Sequence, residues 1–385
     1  MSYVTGIDVG GEQRAAESLD FSGPRGTFPL VRYDLARLKR EIPRDEVRRG
    51  PTSIWRYWML LPADAAHAVT MGEGMTPLIR LHMPGLDNLW MKDEGQNPSG
   101  SFKDRGASAG FSRYRELGVK ALAMHSTGNA GAAWALYAAR AGIKCINYLP
   151  LDGQASTRQQ CAAAGAEVRF IEDWPNAGRI VAAECAARGW LNVSGLKEPY
   201  RIEGKKTLAF EIAEQFDWKL PDVIVFPTGG GQAVIAIYKG FAELRELGWI
   251  SGPDPRLVIT QYAGCAPVVK AYVEGRRECE PWSAKIDIVP GGMKSPDPIS
   301  GAAILDILRR TGGAAVAVGN DEALAAAAEL CRKEGLFLGP EAATGLVGVR
   351  KAVESGAVQP ASSIVLVGTG SGLKSLSLLT DPLPQ

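Results

Sequence analysis

Short apolar runs alternate with longer segments of helical character from about residue 119 onward. The apolar stretches 120–125, 143–149, 166–171 and 190–194 have the length and composition of buried strands. Helices are predicted between them, over 130–141, up to residue 164 and over 175–188. Such alternation is typical of a parallel sheet covered by helices. We therefore predict an α/β fold.

A second series of the same kind follows. It consists of predicted strands at 222–226, 257–262 and 363–368, and predicted helices at 203–216, from the glycine loop to 247, at 321–334 and at 342–355. A Pro- and Gly-rich stretch, 281–298, interrupts this series as a long excursion without secondary structure. We found no internal repeat, so the second series predicts another sheet.

The N-terminal region has a different pattern. Residues 1 to about 28 are polar and rich in glycine and charge, and we expect them to be loosely ordered. Residues 35–61 predict one or two helices that carry the aromatic side chains Trp55, Tyr57 and Trp58. We expect this aromatic cluster to pack on the body of the protein or on a second subunit.

Composition narrows the class of protein. A chain of 385 residues predicts two domains, or one large domain with an insertion. A hydrophobic fraction of 46% and a net charge of +1 indicate a soluble globular protein, with no nucleic acid and no membrane as partner. The six cysteines are scattered without metal-site spacing, so we expect reduced thiols, no metal and a cytoplasmic location. We expect no processed leader.

One lysine is placed for chemistry. Residues 97–106 read Asn-Pro-Ser-Gly-Ser-Phe-Lys-Asp-Arg-Gly, which predicts a loop followed by a helix over 102–111, with Ser101 as its cap. The positive field of a helix N-terminus lowers the pKa of an amine, and a neutral amine forms a Schiff base with a carbonyl. An isolated lysine here is more often a plain surface residue, but the surrounding residues favour a functional Lys103.

Three further segments follow predicted strands. Gly229, Gly230 and Gly231 precede Gln232 at a helix N-terminus, where consecutive N–H groups can bind a phosphate; no dinucleotide fingerprint is present. The segments 126–129 and 369–372 offer hydroxyls and N–H groups in the same way. Each is also explained by a tight turn or a helix cap. We expect His125 to be structural and Lys374 to be a solvated helix charge.

The lysine segment resembles that of the fold-type II pyridoxal-phosphate enzymes, and in particular of the threonine synthases. The resemblance continues, in family order, through residues 72–78, 126–129, 201–207, 227–232 and 369–374. It implies two doubly wound three-layer α/β/α domains with an N-terminal extension. The implied boundaries are an extension over 1–70 that packs on the body, a large cofactor-binding domain over 71–96 and 198–385, and a small inserted domain over 97–197.

The resemblance also implies roles for residues. Lys103 carries pyridoxal 5'-phosphate as a Schiff base and is the catalytic residue, Asn129 binds the phenolic oxygen of the cofactor, and Thr369 faces its pyridine nitrogen. The other implied cofactor contacts are Phe102, Gly229, Gly230, Gly231 and Gln232. The implied substrate contacts are Ser126, Thr127, Gly128, Asn129, Asn192 and Arg201. The resemblance further implies an amino-acid substrate and a homodimer.

Two reactions fit these residues. A threonine synthase converts O-phosphohomoserine and water into threonine and phosphate; a related enzyme runs β-elimination or β-replacement on serine, phosphoserine or a similar amino acid, as cysteate synthase does. Met75 and Gly230 stand where many threonine synthases have serine and asparagine near the substrate phosphate. Four residues can still bind a phosphate dianion, namely Asn192, Lys197, Arg201 and Lys205. A third hypothesis is a binding protein that holds the cofactor but catalyses no reaction. It is disfavoured because Lys103 and the other motifs of the resemblance are all present.

Overall fold

The computed structural model describes residues 3–24 and 26–379. The strands are β1 (Val4–Val9), β2 (Glu12–Arg14), β3 (Pro29–Tyr33), β4 (Leu78–Met83), β5 (Leu86–Asp93), β6 (Ala121–His125), β7 (Lys144–Pro150), β8 (Glu167–Ile171), β9 (Leu191–Asn192), β10 (Val223–Pro227), β11 (Arg256–Tyr262), β12 (Ala314–Val318) and β13 (Ile364–Gly368). The helices are α1 (Leu35–Glu41), α2 (Lys103–Glu116), α3 (Asn129–Ala141), α4 (Ala155–Ala163), α5 (Ala177–Arg188), α6 (Tyr200–Lys205), α7 (Thr207–Gln215), α8 (Gln232–Leu247), α9 (Pro267–Val273), α10 (Gly301–Arg310), α11 (Asn320–Glu334), α12 (Pro340–Glu354) and α13 (Leu376–Leu379).

Tertiary contacts divide the chain into two compact units. The first unit contains Met1–Met75, Lys103–Phe210 and Lys239–Trp249; the second contains Thr76–Phe102, Glu211–Tyr238 and Ile250–Gln385. Each unit has its own parallel sheet and its own apolar core. The domain boundaries implied by the resemblance stay a prediction.

The first unit contains a four-stranded parallel sheet in the order β8-β7-β6-β9. Successive residues of β6 face opposite sides of this sheet: Leu122 packs in the same cluster as Trp134 of α3, whereas Ala123 packs with Val181 of α5. Both faces of the sheet are therefore covered by helices, which explains its continuous apolar strands. The four strands predicted for this region are confirmed.

The N-terminal region forms a sheet, so the expectation of loose order over residues 1–28 is wrong. Strand β1 pairs antiparallel with both β2 and β3. Its side chains Ile7 and Val9 are buried in the same cluster as Phe111 of α2. A short strand with only two buried apolar side chains gives a weak signal in sequence, and its order comes from packing on α2. Met1, Ser2 and Arg25 lie outside the described residues.

The aromatic cluster packs on the body of the first unit, as predicted. It lies in a 3₁₀ segment, Ile54–Leu60, in which Trp55 and Tyr57 are buried. The Trp55 indole N–H donates to Ser108 Oγ of α2 over 3.0 Å, and the Tyr57 ring lies edge-on to Phe210, with centroids 5.3 Å apart. These contacts attach the segment to two helices of the unit.

The second unit contains a six-stranded sheet in the order β12-β11-β10-β13-β5-β4. All neighbouring strands are parallel except the edge pair β4–β5. Sequence patterns missed β4, β5 and β12 because β12 is rich in alanine, a poor strand former, and β5 buries a lysine. That residue, Lys92, donates to Glu211 Oε2 over 2.7 Å, so its charge is paired inside the unit.

The helix predicted over 203–216 is two helices. α6 ends at Lys205 and α7 begins at Thr207. The Thr207 hydroxyl donates to the carbonyl of Gly204 over 2.7 Å and so competes with the helical hydrogen bond at this point. Lys205 is the last residue of α6 and Lys206 lies between the two helices, and both side chains are buried.

Six cysteines are free thiols, as expected. None of the helices in the described part of the chain is both long and apolar enough to cross a membrane.

Close backbone packing of α6 on α2 gives a first prediction. A Cβ added at Gly204 would lie 1.9 Å from the carbonyl oxygen of Arg105. A backbone carbonyl cannot rotate away from the new methyl group as a side chain can. Overpacking costs about 1–3 kcal/mol, so Gly204→Ala is expected to lower the free energy of unfolding by about 3 kcal/mol or more. Denaturant titration measures this change.

Gly131→Ala is the matched control for this prediction. Gly131 is also a buried helical glycine of the first unit, but its added Cβ would lie 3.5 Å from its nearest neighbours outside the helix backbone, Leu149 Cδ2 and Ser126 Cβ, which is ordinary contact. A change of less than about 1 kcal/mol is expected for it, because alanine favours the helix. Equal losses in the two variants would contradict the proposed close contact at Gly204.

Candidate active site

The segment before Lys103 is anchored inside the second unit. The N–H of Phe102 donates to the carbonyl of Thr369 over 3.2 Å, and Ser101 pairs with Gly370 as an isolated bridge. The Phe102 ring lies edge-on to Phe226 of β10, with centroids 5.4 Å apart. Lys103 is the next residue and begins α2. Lys103 therefore follows directly after a residue that is fixed next to Thr369.

Lys374 completes this anchor, and the expectation that it is a solvated charge is wrong. Its side chain is buried, and Nζ donates to the carbonyl of Ser99 over 2.9 Å. A lysine after a Gly-rich turn has no sequence feature that distinguishes it from a surface charge. Only the fold brings it under the loop that leads to Lys103.

The glycine loop follows β10 in the second unit. Thr228 closes the strand with an N–H donated to Thr260 O over 2.8 Å. A Cβ at Gly229 would lie 2.9 Å from Gly292 O, and one at Gly231, where φ is +71°, would lie 2.0 Å from Ile304 Cδ1. Both positions therefore require glycine for packing.

Gly230 differs from its two neighbours. A Cβ there would approach only Ser295 Oγ, at 3.7 Å, so it faces nearly open space. The Ser300 hydroxyl donates to its carbonyl, and α8 begins two residues later at Gln232. N–H groups at the positive end of a 16-residue helix attract an anion. Ser300, which follows the predicted excursion, was not identified from the sequence because an isolated serine gives no signal there.

The turn 126–129 joins β6 to α3 in the first unit. Ser126 Oγ accepts from the N–H groups of Gly128, at 3.3 Å, and Gly131, at 3.2 Å. The backbone of Thr127 and Gly128 therefore passes directly over the N-terminus of α3. Asn129 is buried as the first residue of that helix, and its Oδ1 has no hydrogen-bond partner within the protein. A buried polar atom of this kind costs free energy until a ligand satisfies it.

Arg201 and Asn192, two of the predicted substrate contacts, already form hydrogen bonds within the protein. Arg201 donates from Nε to Glu198 Oε1 over 2.6 Å and from Nη2 to the carbonyl of Val193, and its guanidinium carbon lies 4.3 Å from the centroid of the Trp134 ring. Asn192 Oδ1 accepts the N–H of Ser194 over 3.0 Å. Arg201 keeps part of its donor set, since Nη1 is not used by these bonds.

Lys205 lies one helical turn after Arg201 and is equally buried. Burial lowers the pKa of its amine well below the usual value, and the nearby charges of Lys103 and Arg201 lower the pKa further, against an opposing effect of Glu198. The ring of His125 lies edge-on to Trp174. Burial, then Arg201 and Lys197, lower the pKa of His125.

Among residues 3–24 and 26–379, no group of three His, Cys, Asp or Glu side chains is arranged to hold a metal ion.

The sequence of this chain matches a known protein family. The family described as pyridoxal-phosphate dependent enzyme matches residues 69–370. The match covers more than half of the chain, and the chain therefore belongs to this family. Its cofactor is pyridoxal 5'-phosphate.

The most similar curated relatives include threonine synthases. The threonine synthase of Methanosarcina acetivorans is 36% identical over 92% of this chain and 86% of its own length. That of Methanocaldococcus jannaschii is 34% identical over 89% of this chain and 85% of its own length. Among solved structures, a fungal L-serine ammonia-lyase from Rhizomucor miehei has a TM-score of 0.65 and 20% identity, covering 79% of this chain and 96% of that chain. This likeness shows the fold, which is the predicted fold type II.

The residues present fit the cofactor on two structural observations. The Asn129 amide has an unsatisfied oxygen at the turn where the resemblance implies a contact to the cofactor. Gly230 faces space that a side chain would fill, at a helix N-terminus suited to a phosphate. The individual roles of the site residues stay predictions.

The space beside Gly230 gives a second prediction. Gly230→Ala is expected to leave the unfolding free energy of the apoprotein unchanged, because the new Cβ meets no backbone. Because many threonine synthases have an asparagine where this chain has Gly230, the smaller methyl group should also leave the Kd for pyridoxal 5'-phosphate within about tenfold of the wild-type value, a change below about 1.4 kcal/mol of binding. Titration of the apoprotein with the cofactor, followed by absorbance, measures the change.

Gly231→Ala serves as the comparison for this experiment. Its positive φ and the approach to Ile304 predict a loss of stability as well as of cofactor affinity. Equal losses of stability and of cofactor affinity in the two variants would contradict this distinction between Gly230 and Gly231.

Proposed function

We propose that this chain is a threonine synthase, which converts O-phosphohomoserine and water into threonine and phosphate. The similarity to two archaeal threonine synthases over 92% and 89% of the chain carries this proposal. In this reaction the C–O bond to phosphate breaks at Cγ, Cγ gains a proton, and Cβ exchanges one hydrogen for the hydroxyl of water. The enzyme is a lyase that uses pyridoxal phosphate.

Residues of the three loops hold the cofactor in this proposal. Lys103 Nζ binds it covalently, and the N–H groups of residues 229–232 hold its phosphate at the start of α8. Asn129 binds its phenolic oxygen, Thr369 faces its pyridine nitrogen, and Phe102 packs beside it. When bound, pyridoxal phosphate supplies an electron sink for negative charge that develops on the substrate.

Lys103 also moves protons in this proposal. When the Lys103 amine is not engaged with the cofactor, it would remove the proton from Cα of the substrate as a general base. The anchor at Phe102 and Lys374 limits the backbone motion of the residue that precedes this amine. The turn 126–129 offers backbone N–H groups at the N-terminus of α3, which suit the α-carboxylate of the substrate.

Thr369 at the pyridine nitrogen favours elimination and replacement. A hydroxyl cannot keep that nitrogen protonated as a carboxylate would, so the ring withdraws fewer electrons. Elimination from a carbon that carries a good leaving group needs less electron withdrawal than transamination does. The proposed chemistry therefore agrees with a threonine rather than an aspartate at this position.

A β-elimination or β-replacement on serine or phosphoserine is the second candidate, and Met75 favours it. This residue replaces a polar one of many threonine synthases, and it has a φ of +46°, in the left-handed region that methionine rarely adopts. Its sulfur accepts from the Tyr57 hydroxyl over 3.8 Å. Strain of this kind often occurs at functional sites.

Product analysis separates the two candidates. The purified holoenzyme is offered O-phosphohomoserine and O-phosphoserine in separate assays, and phosphate release and the amino-acid product are measured. Threonine from O-phosphohomoserine is expected. Phosphate release from O-phosphoserine alone would replace the proposed reaction with the second candidate.

Removal of the Lys103 amine tests the covalent attachment. Lys103→Ala is expected to lose the visible absorbance of the lysine-bound cofactor and all measurable turnover, because both depend on Nζ. Lys120→Ala removes an exposed lysine and should retain both. Borohydride reduction followed by peptide mass spectrometry should place the cofactor on residue 103. Full activity in Lys103→Ala would refute the assignment.

We further propose that the enzyme acts in the cytoplasm as a homodimer. The family resemblance supports both statements. Light scattering of the purified holoenzyme should give about twice the 41.0 kDa mass of one chain.

A further inference from the structure

The end of the Pro- and Gly-rich stretch 281–298 and the start of α10 pack against the glycine loop in the second unit. A Cβ at Gly229 would lie 2.9 Å from Gly292 O, in that stretch. A Cβ at Gly231 would lie 2.0 Å from Ile304 Cδ1, in α10. The two segments therefore fill the space beside two of the three glycines.

The space beside the third glycine stays open, and a hydroxyl borders it. Apart from the sequence neighbours of Gly230, Ser295 Oγ is the only heavy atom of the described residues within 4 Å of a Cβ placed there, at 3.7 Å. Because α8 begins two residues after Gly230, the Ser295 hydroxyl lies close to the N-terminus of this helix. The N-terminal N–H groups of a helix attract an anion.

The backbone that carries Ser295 is held on both sides. Two residues earlier, the N–H of Met293 donates to Glu341 Oε1 of α12 over 3.2 Å. One residue later, the carbonyl of Pro296 accepts from the N–H of Trp282 over 2.8 Å. These bonds fix the chain around Ser295, so its hydroxyl is held next to the glycine loop by the fold.

Two hydroxyls lie near Gly230, and they differ in their partners. Ser300 is buried and donates to the carbonyl of Gly230. Ser295 is half-buried, and in the part of the chain that the structure describes its hydroxyl has no hydrogen-bond partner. A serine hydroxyl supplies one donor to an acceptor oxygen. The donor of Ser300 is used within the protein, whereas that of Ser295 is available to a ligand.

We propose that the Ser295 hydroxyl donates a hydrogen bond to the phosphate of pyridoxal 5'-phosphate beside Gly230. This inference rests on the proposed function, which places that phosphate at residues 229–232, and it adds a side chain to a site otherwise built from backbone. A hydrogen bond from a neutral donor to an ionised acceptor is stronger than one between two neutral groups. Ser295 is therefore a cofactor-binding residue in this proposal.

Cofactor binding to the apoprotein tests the proposal. Absorbance titration measures the Kd for pyridoxal 5'-phosphate and the Kd for pyridoxal, which lacks the phosphate. In Ser295→Ala the Kd for pyridoxal 5'-phosphate should rise about tenfold or more, as the loss of a hydrogen bond to a charged group predicts. The Kd for pyridoxal should not change, because pyridoxal lacks the acceptor.

Two further variants control this titration. Ser295→Thr keeps a hydroxyl at the same position and should recover most of the lost affinity. Ser283→Ala removes an exposed serine hydroxyl from the same Pro- and Gly-rich stretch and should change neither Kd. An equal rise for both ligands in Ser295→Ala, or no rise for either, would overturn the proposal.

Steady-state kinetics separate the phosphate of the cofactor from that of the substrate. The substrate phosphate is the rival ligand, because the family resemblance places it near residue 230. With pyridoxal 5'-phosphate saturating, the KM for O-phosphohomoserine in Ser295→Ala should equal that of the wild type, since no contact to the substrate is lost. A raised KM together with an unchanged cofactor Kd would assign the hydroxyl to the substrate and overturn the proposal.

Stability separates a binding role from a structural one. Ser295→Ala removes no hydrogen bond within the described residues, so the melting temperature of the apoprotein should not change. Ser300→Ala should lower it, because that variant loses the bond to the Gly230 carbonyl. Equal losses in the two variants would give Ser295 a structural role and contradict the proposal.

The proposed reaction and the role of Ser295 fail in different ways. If the wild-type holoenzyme does not convert O-phosphohomoserine but its cofactor Kd depends on Ser295, the reaction is wrong and the role of Ser295 stands. If the wild type makes threonine while Ser295→Ala binds pyridoxal 5'-phosphate as tightly as the wild type does, the reaction stands and the role of Ser295 is wrong.

Discussion

The hydrogen bond from the Phe102 N–H to the Thr369 carbonyl fixes the residue that directly precedes α2. One such bond contributes only about 0.5–1.5 kcal/mol to stability, but it acts together with the Phe102–Phe226 ring contact and the Lys374–Ser99 bond. These contacts involve Phe226 of β10 and residues that follow β13, so they fix Phe102 within the second unit. In the proposed function the next residue carries the reacting amine, and a misplacement of about 1 Å would slow such a reaction, so the restraint on Phe102 serves that function.

Features that depend on neighbouring residues could be predicted from the sequence, whereas features that depend on long-range contacts could not. The strands of the four-stranded sheet were predicted well because both faces are covered, so their apolar character is continuous. The lysine segment and the glycine loop could be predicted because the local backbone conformation requires glycine and turn residues there. In contrast, β1 is ordered by packing on α2, and Lys374 is buried by the loop above it. Such long-range contacts leave no local pattern, so neither could be read from neighbouring residues.

Lys205 and Lys206 show the same limit for charge. The two residues are adjacent in sequence and both are buried. Lys206 lies in a cluster with Glu203, Glu243 and Lys239, in which two carboxylates balance two amines. Lys205, the last residue of α6, instead has Lys103, Arg201 and Glu198 among the charged groups that act on it. The two adjacent lysines therefore lie in different electrostatic surroundings, which their residue type in the sequence does not reveal.

In the proposed reaction the protein binds the phosphate of the cofactor as well as that of the substrate. The glycine loop offers backbone N–H groups and the dipole of α8, whose partial charges do not titrate. Such a site suits a cofactor that stays bound, because its attraction for the phosphate does not change with the protonation of a side chain.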